Sequence, residues 1–215
     1  NSTGDMPGAI NAANNAVTVA TSADLSGVTL SNLGSLTVDV GQTLTLTAAQ
    51  ATAFNTGGTL TNNGTINVSA TGDLSAQNLD NVTTLTLTGD ATLPNSTGDM
   101  PGAINAANNA VTVATSADLT GVTLSNLGSL TVDASQTLTL TAAQATAFNT
   151  GGTLTNNGTI NVSATGDLSA QNLDNVTTLT LTGDATLPNS TGDMPGAINA
   201  ANNAVTVATS ADLTG

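Results

Sequence analysis

VTVATSADLSGVTLSNLGSLTVDVGQTL, residues 17–44, alternates apolar and polar side chains in short bursts broken by turn formers. Val17 and Val19 flank Thr18, and just beyond the stretch Leu44 and Leu46 alternate with Thr43, Thr45 and Thr47. A period of two belongs to a strand with one face in a core and the other in water. Asn32, Gly34 and Asp39-Val40-Gly41 supply the positive φ angles or side-chain-to-backbone bonds that turns require. The same pattern runs outward along the chain. Ile66 and Val68 flank Asn67, and Leu85 and Leu87 alternate with Thr84, Thr86 and Thr88. Gly57-Gly58, Asn62-Asn63-Gly64, Gly72-Asp73 and Gly89-Asp90 mark further turns. Helix is expected only in two Ala-rich segments, 48–54 and 101–109 with its copies, for a turn or two each.

Residues 17–44 align with INVSATGDLSAQNLDNVTTLTLTGDATL, 66–93, which places Asp24 on Asp73, Leu30 on Leu79, Asn32 on Asn81, Leu36 on Leu85 and Leu44 on Leu93. Two such halves make a 94-residue unit, because NSTGDMPGAINAANNAVTVATSADL begins at Asn1, Asn95 and Asn189. Residues 1–94 and 95–188 are thus repeat units 1 and 2, and 189–215 begin a third. The first two differ only at Ser26/Thr120, Val40/Ala134 and Gly41/Ser135. Beginning and ending within the repeat is what a window of a longer continuous array would show. Turn placement divides each unit into segments near 16–34, 35–58, 59–82 and 83–109, a length that suits one coil of a parallel β-helix.

The side chains available for a core are Leu, Val, Ile and Ala, with one Phe per unit, Phe54 and Phe148. A solenoid needs only a thin core that each coil shares with its neighbours. The expected fold is therefore all-β, a parallel β-helix or β-solenoid of about four coils per 94-residue repeat, rising roughly 19 Å at ~4.8 Å per coil. The alternative is a row of tandem immunoglobulin-like β-sandwiches. That fold suits the unit's length, but it usually wants a large buried anchor such as Trp, which the chain lacks.

The chain has no Lys, Arg, His, Glu, Cys, Trp or Tyr, and its formal charge of −14 is all Asp. No two side chains can form a salt bridge. Such a surface repels phosphate backbones and anionic lipid, so nucleic acid is not an expected partner. Divalent cations are the natural counter-charge. The lack of Cys excludes disulfides, and no apolar run approaches the roughly 18 residues of a membrane-spanning helix.

Missing residue types also remove most chemistry. Without His, Glu or Lys there is no ordinary general base or nucleophilic triad. Zinc sites need Cys or His, and a phosphate loop needs Lys. Asp pairs alone can hydrolyse glycosides, but a unit repeated almost unchanged, with no aromatic sugar platform, argues against one built groove. The chain is not expected to be an enzyme or to hold a cofactor.

Calcium is the strongest of the ligand readings, since oxygen-rich turns suit a hard cation. Thr-Gly-Asp recurs at 3–5, 71–73 and 88–90, and Asp80 lies between Asn78 and Asn81. Asp73, Asp80 and Asp90 are the Ca²⁺ candidates. The competing reading is that each Asp caps a turn through the backbone. Thr43-Leu44-Thr45-Leu46-Thr47 and Thr83–Thr88 have the spacing of an ice-binding face, but Asn62-Asn63-Gly64 interrupts it, and Thr is in any case a favoured outward strand residue. The Asn residues, 11 per unit, would form amide ladders if stacked. Asn1, Asn63, Asn67 and Asn81 each open an Asn-x-Ser/Thr glycan acceptor sequence.

With segments such as LTLTAAQATAF and NLDNVTTLTLTGDATL, the whole chain resembles, in composition and architecture, the repeat regions of giant bacterial cell-surface proteins, adhesins and surface fibres. The resemblance implies export to an extracellular, cell-surface location. It implies a structural fibre or filament acting in attachment, aggregation or a protective coat. Alternatives are an adhesin stalk that projects a separate binding domain, and a Ca²⁺-binding surface-layer component. Self-association along or between fibres is the expected interaction, with divalent cations or glycans between chains.

Overall fold

The computed structural model describes residues 6–57, 59–151 and 153–208. It forms two compact units, one of Asn1–Ala107 with Val122–Asn126 and one of Asn108–Gly121 with Leu127–Gly215. Repeat 1 supplies β1 (Ala9–Asn11), β2 (Ala16–Val19), β3 (Ala23–Asp24), β4 (Thr29–Ser31), β5 (Ser35–Val38), β6 (Thr43–Leu46), helix α1 (Ala48–Gly57), β7 (Thr59–Asn62), β8 (Thr65–Asp73) and β9 (Thr84–Thr92). Repeat 2 supplies β10 (Ala103–Asn105), β11 (Ala110–Val113), β12 (Ala117–Asp118), β13 (Thr123–Ser125), β14 (Ser129–Val132) and β15 (Thr137–Leu140). It continues with helix α2 (Ala142–Gly151), β16 (Thr153–Asn156), β17 (Thr159–Asp167) and β18 (Thr178–Thr186). The third copy begins with β19 (Ile198–Asn199) and β20 (Val205–Thr206).

In the first unit every strand pair is parallel. β1 lies on β4; β2 lies on β5 and β5 on β7; β3, β6, β8, β9, β10 and β13 form one stack. The chain thus visits three sheets in turn and comes back one coil further on, which is a parallel β-solenoid. Antiparallel sandwiches are not what these residues form. The alternation read from the sequence sets the inside and the outside. Leu36, Val38, Leu44, Leu46, Ile66, Val68, Leu85 and Leu87 are at most 1 % exposed, and among the described residues no polar or charged residue is buried. Inward residues stack in columns: Leu44 on Ile66, and Val68 on Leu85 on Ile104.

Register sharpens the coil count. Asp24, Thr45, Asn67, Thr84 and Ala103 are successive partners, so four coils consume 79 residues, about 20 each. β1, β2 and β3 stand in three different sheets, and β4 returns over β1. β10 is the copy of β1, yet it lies four coils beyond β3 and not over β1. A repeat therefore spans four and two-thirds coils, rising roughly 22 Å at ~4.8 Å per coil. The second unit behaves alike: β11 pairs with β14, whereas its copy β20 pairs with β18 in the stack of β12, β15, β17 and β18.

The sheet also ignores the sequence boundary. β9 ends repeat 1 and β10 opens repeat 2, and they pair with Leu85 opposite Ile104. Coils are shorter than turn placement suggested because two presumed turns are corners inside strands. Gly72-Asp73 lies within β8 and Gly89-Asp90 within β9. There Thr88-Gly89-Asp90 stand opposite Thr71 alone, a bulge that bends the pair while pairing continues from Gly72 and Ala91.

Helix α1 takes the place of a strand between β6 and β7, burying Ala48, Ala51 and Phe54. Thr47 and Gln50 form a capping box: Gln50 N donates to Thr47 Oγ1 at 3.2 Å and Thr47 N to Gln50 Oε1 at 2.8 Å. The segment 101–109 is not helical. Only Thr97–Asp99 forms a 3-10 turn, capped by Ser96, and Ala103–Asn105 is strand β10. Ile104, 1 % exposed, is drawn into the column over Leu85, and Ala107 and Asn108 follow at φ 48° and 64°. Core burial outweighs the helix preference of Ala there.

All three positions that differ between repeats are exposed. Ser26 Oγ donates to Asp24 at 2.6 Å and Thr120 Oγ1 to Asp118 at 2.7 Å, so that exchange keeps its bond. Gly41 sits at φ 75° and its counterpart Ser135 at φ 66°, a left-handed conformation that costs a side chain about 1–2 kcal/mol. Ser135→Gly is expected to raise stability by up to about 1 kcal/mol once glycine's greater freedom in the unfolded chain is offset. Leu85→Ala is expected to lower it by about 2–5 kcal/mol. Urea unfolding followed by circular dichroism checks both, and an unchanged midpoint for Leu85→Ala would contradict the column described.

Candidate functional site

The aspartates divide by what their carboxylates hold. Asp24 and Asp73, equivalent in the half-repeat alignment, accept at Oδ1 from the N–H two residues on, Ser26 and Ser75, each at 2.9 Å. Asp118 and Asp167 do the same with Thr120 and Ser169. The next residue in each first-repeat turn, Leu25 or Leu74, is buried and donates its N–H to the following coil, at Thr45 O or Thr92 O. Each carboxylate thus fixes the bend that feeds a leucine into the core. The hydroxyl of Ser75, and then its N–H, hold the Asp73 carboxyl below its ordinary 3.8; Ser169 does the same for Asp167.

Asp80 belongs to an amide cluster. Its Oδ1 accepts from Asn81 Nδ2 at 3.1 Å; Asn81 Nδ2 also donates to Asn55 Oδ1 at 3.0 Å, and Asn55 Nδ2 to Asn78 Oδ1 at 2.8 Å. Asn55 lies on α1, so the cluster ties the helix to the next coil. Asp174 and Asn149, Asn172 and Asn175 repeat it. Asp90 lies in the corner bulge; at the same corner of the second unit Asp184 accepts from Ala204 N at 2.8 Å.

Pairing brings Asp73 and Asp90 to one corner in neighbouring coils, because Asp73 stands opposite Thr92, while Asp80 lies in the amide cluster instead. Among the described residues no three acidic side chains converge as a metal-binding group. The triplet at 3–5 lies outside the described residues, as does Asn1.

The alternation did not reveal the polar residues that bridge coils. Gln50 Nε2 donates to Leu25 O and Val28 O, both at 2.8 Å, and Asn62 Nδ2 donates to Asn81 O and Thr83 Oγ1 at 3.2 and 3.1 Å. For Gln50 the Thr-x-x-Gln capping box was the available signal; for Asn62 there was none. Among the described residues asparagine amides meet between coils at Asn32 on Asn11 and Asn126 on Asn105, besides the clusters around Asn55 and Asn149. Thr18, Thr37 and Thr61 align over three coils, but the larger stack runs Thr45, Asn67, Thr84, Ala103, so threonine does not form one regular lattice. A cleft of about 510 Å³ beside α1, lined by Leu30, Leu33, Ala53, Phe54, Asn14 and Asn32 among others, contains no titratable group.

These features define a parallel β-solenoid in which polar side chains such as Gln50, Asn55 and Asn62 join one coil to the next. Comparison with protein-family models, with curated proteins and with solved structures gives no match. Among the described residues no helix is long and apolar enough to cross a membrane.

The depressed carboxyls of Asp73 and Asp167 carry a pH consequence. A carboxyl whose folded value lies below its unfolded one stabilises the fold above pH 3.8, and that contribution is lost as pH falls through the lower folded value. The double variant Asp73→Asn, Asp167→Asn is expected to melt below the parent at neutral pH, the gap closing under pH 3.8. The comparison belongs at high salt, where repulsion among the aspartates is screened. A gap that is constant across this range would overturn the assignment.

Proposed function

We propose that this chain is a structural segment of an extracellular fibre or filament on the cell surface, acting in attachment, aggregation or a protective coat, and that it is not an enzyme. The carrying observation is the pairing of β9 with β10 across the repeat boundary. Each added repeat prolongs existing sheets, where a bead-like domain would hang on a linker. Length grows by roughly 22 Å per 94 residues at ~4.8 Å per coil. Stability in such a fold is a sum of neighbour terms, so an array can be extended without redesign of its core.

The composition supports the same reading. A chain without Lys or Arg offers no tryptic site, which suits exposure to proteases. Asp73, Asp80 and Asp90 are exposed and no cation of the chain answers them, so divalent ions between neighbouring chains are the natural bridges. The resemblance to bacterial surface-fibre repeats points to the same location and role.

Antibody against the array should label intact cells, and electron micrographs of the isolated assembly should show fibres with an axial period near 22 Å. Protein confined to the cell interior, or beads about 40 Å long, would overturn the proposal. Chelation of divalent ions should separate bundles while leaving the β circular-dichroism signal; loss of that signal would make the metal part of the fold.

A further inference from the structure

The Asn-x-Ser/Thr sequences of a repeat are not equivalent once the chain is folded. Asn81-Val82-Thr83 is engaged at both ends. The Asn81 amide donates to Asn55 and Asp80, while Thr83 Oγ1 accepts from Ile66 N at 3.0 Å and from Asn62 Nδ2. Asn67 lies half-buried within β8, between Thr45 and Thr84 of the adjoining coils. Asn95-Ser96-Thr97 is built into the capped 3-10 turn, with Asn95 N donating to Ser75 O at 3.1 Å.

Asn63-Gly64-Thr65 differs. Asn63 is exposed at the bend between β7 and β8. Its backbone is fixed: Asn63 N donates to Val38 O at 3.0 Å, Thr65 N to Gln42 O at 2.9 Å and Gly64 N to Asn62 Oδ1 at 3.1 Å. The side-chain amide of Asn63 makes no hydrogen bond among the described residues. A Cβ on Gly64 would run into the carbonyls of Gln42 and Asp39, so the middle residue is glycine and adds no side chain beside the amide. The second repeat builds the same bend, with Asn157 exposed, Asn157 N on Val132 O, Thr159 N on Gln136 O and Gly158 N on Asn156 Oδ1.

From this we infer that Asn63 and Asn157 are acceptors of N-linked sugar, one per repeat. The co-substrate is a sugar activated as a diphosphate ester, carried by a nucleoside or a polyprenol. Asn Nδ2 bonds to sugar C1 as the C1–O bond breaks; the diphosphate leaves with the electron pair and the amide nitrogen loses one proton. The inference rests on the surface reading above, and a sugar at each acceptor would add a hydrated group to a surface that has no cation of its own.

The test uses protein isolated from the cells that make it, cut before Asp because trypsin has no site. Peptides 39–72, 133–166 and 80–89 are fragmented by electron transfer in the mass spectrometer. Sugar mass on Asn63 and Asn157, with Asn67, Asn81 and Asn161 bare, is the expected result. Bare 39–72 and 133–166 peptides, or sugar on Asn67 or Asn81, overturn the assignment. The variant Asn63→Gln, Asn157→Gln should lose the sugar and, made without it, keep the parent's melting curve; a sugar still present on those peptides also overturns it. An array that labels on intact cells but is bare at Asn63 sinks this inference alone, whereas an array held inside the cell sinks the surface reading.

Discussion

Every strand of this protein is completed by the coil beside it. Val68, Leu85 and Ile104 come from three successive coils and form one apolar column, held at strand spacing by the parallel ladder between β8, β9 and β10. The column and the ladder are one constraint. Parallel pairing sets inward residues opposite inward residues, so alternation within a strand becomes a continuous apolar interior with a polar exterior. A chain with one Phe per repeat and no Trp or Tyr can fold on that basis, because no residue has to fill a wide core.

The remaining polar chemistry serves the same end. Gln50 caps its own helix and reaches back to the carbonyls of Leu25 and Val28; Asn55 reaches forward to Asn78. A helix is wider than a strand, so these side chains supply bonds that the ladder cannot make across α1. Asp24 and Asp73 bend the chain so that the following leucine turns inward. With the side-chain charge all of one sign, no side chain of the chain can neutralise it.

Much of this was legible locally. Strands, the capping box of α1, the turn at Gly41 and the equivalence of Asp24 with Asp73 depend on residues a few positions apart. The reading of 101–109 as helix failed because Ile104 answers to a column drawn from distant coils. The Ca²⁺ candidates were legible as oxygen-rich turns, and so was the turn-capping that Asp73 performs with Ser75; that Asp80 also holds Asn81 in an amide cluster needed the fold.

By itself the sequence determined the strand period, the inside and outside of each strand, the 94-residue repeat and the residue types on which any chemistry could draw. Those follow from residue type and spacing alone. Only the tertiary structure decided the coil length and the face on which each repeat begins. Both depend on how sharply corners are turned: Thr71 alone spans what Thr88-Gly89-Asp90 span in the next coil, and pairing between coils, not local propensity, chooses between them. The same stacking separates Asn63 from Asn81, two acceptor sequences alike on paper, by leaving one amide in solvent and committing the other to its neighbours.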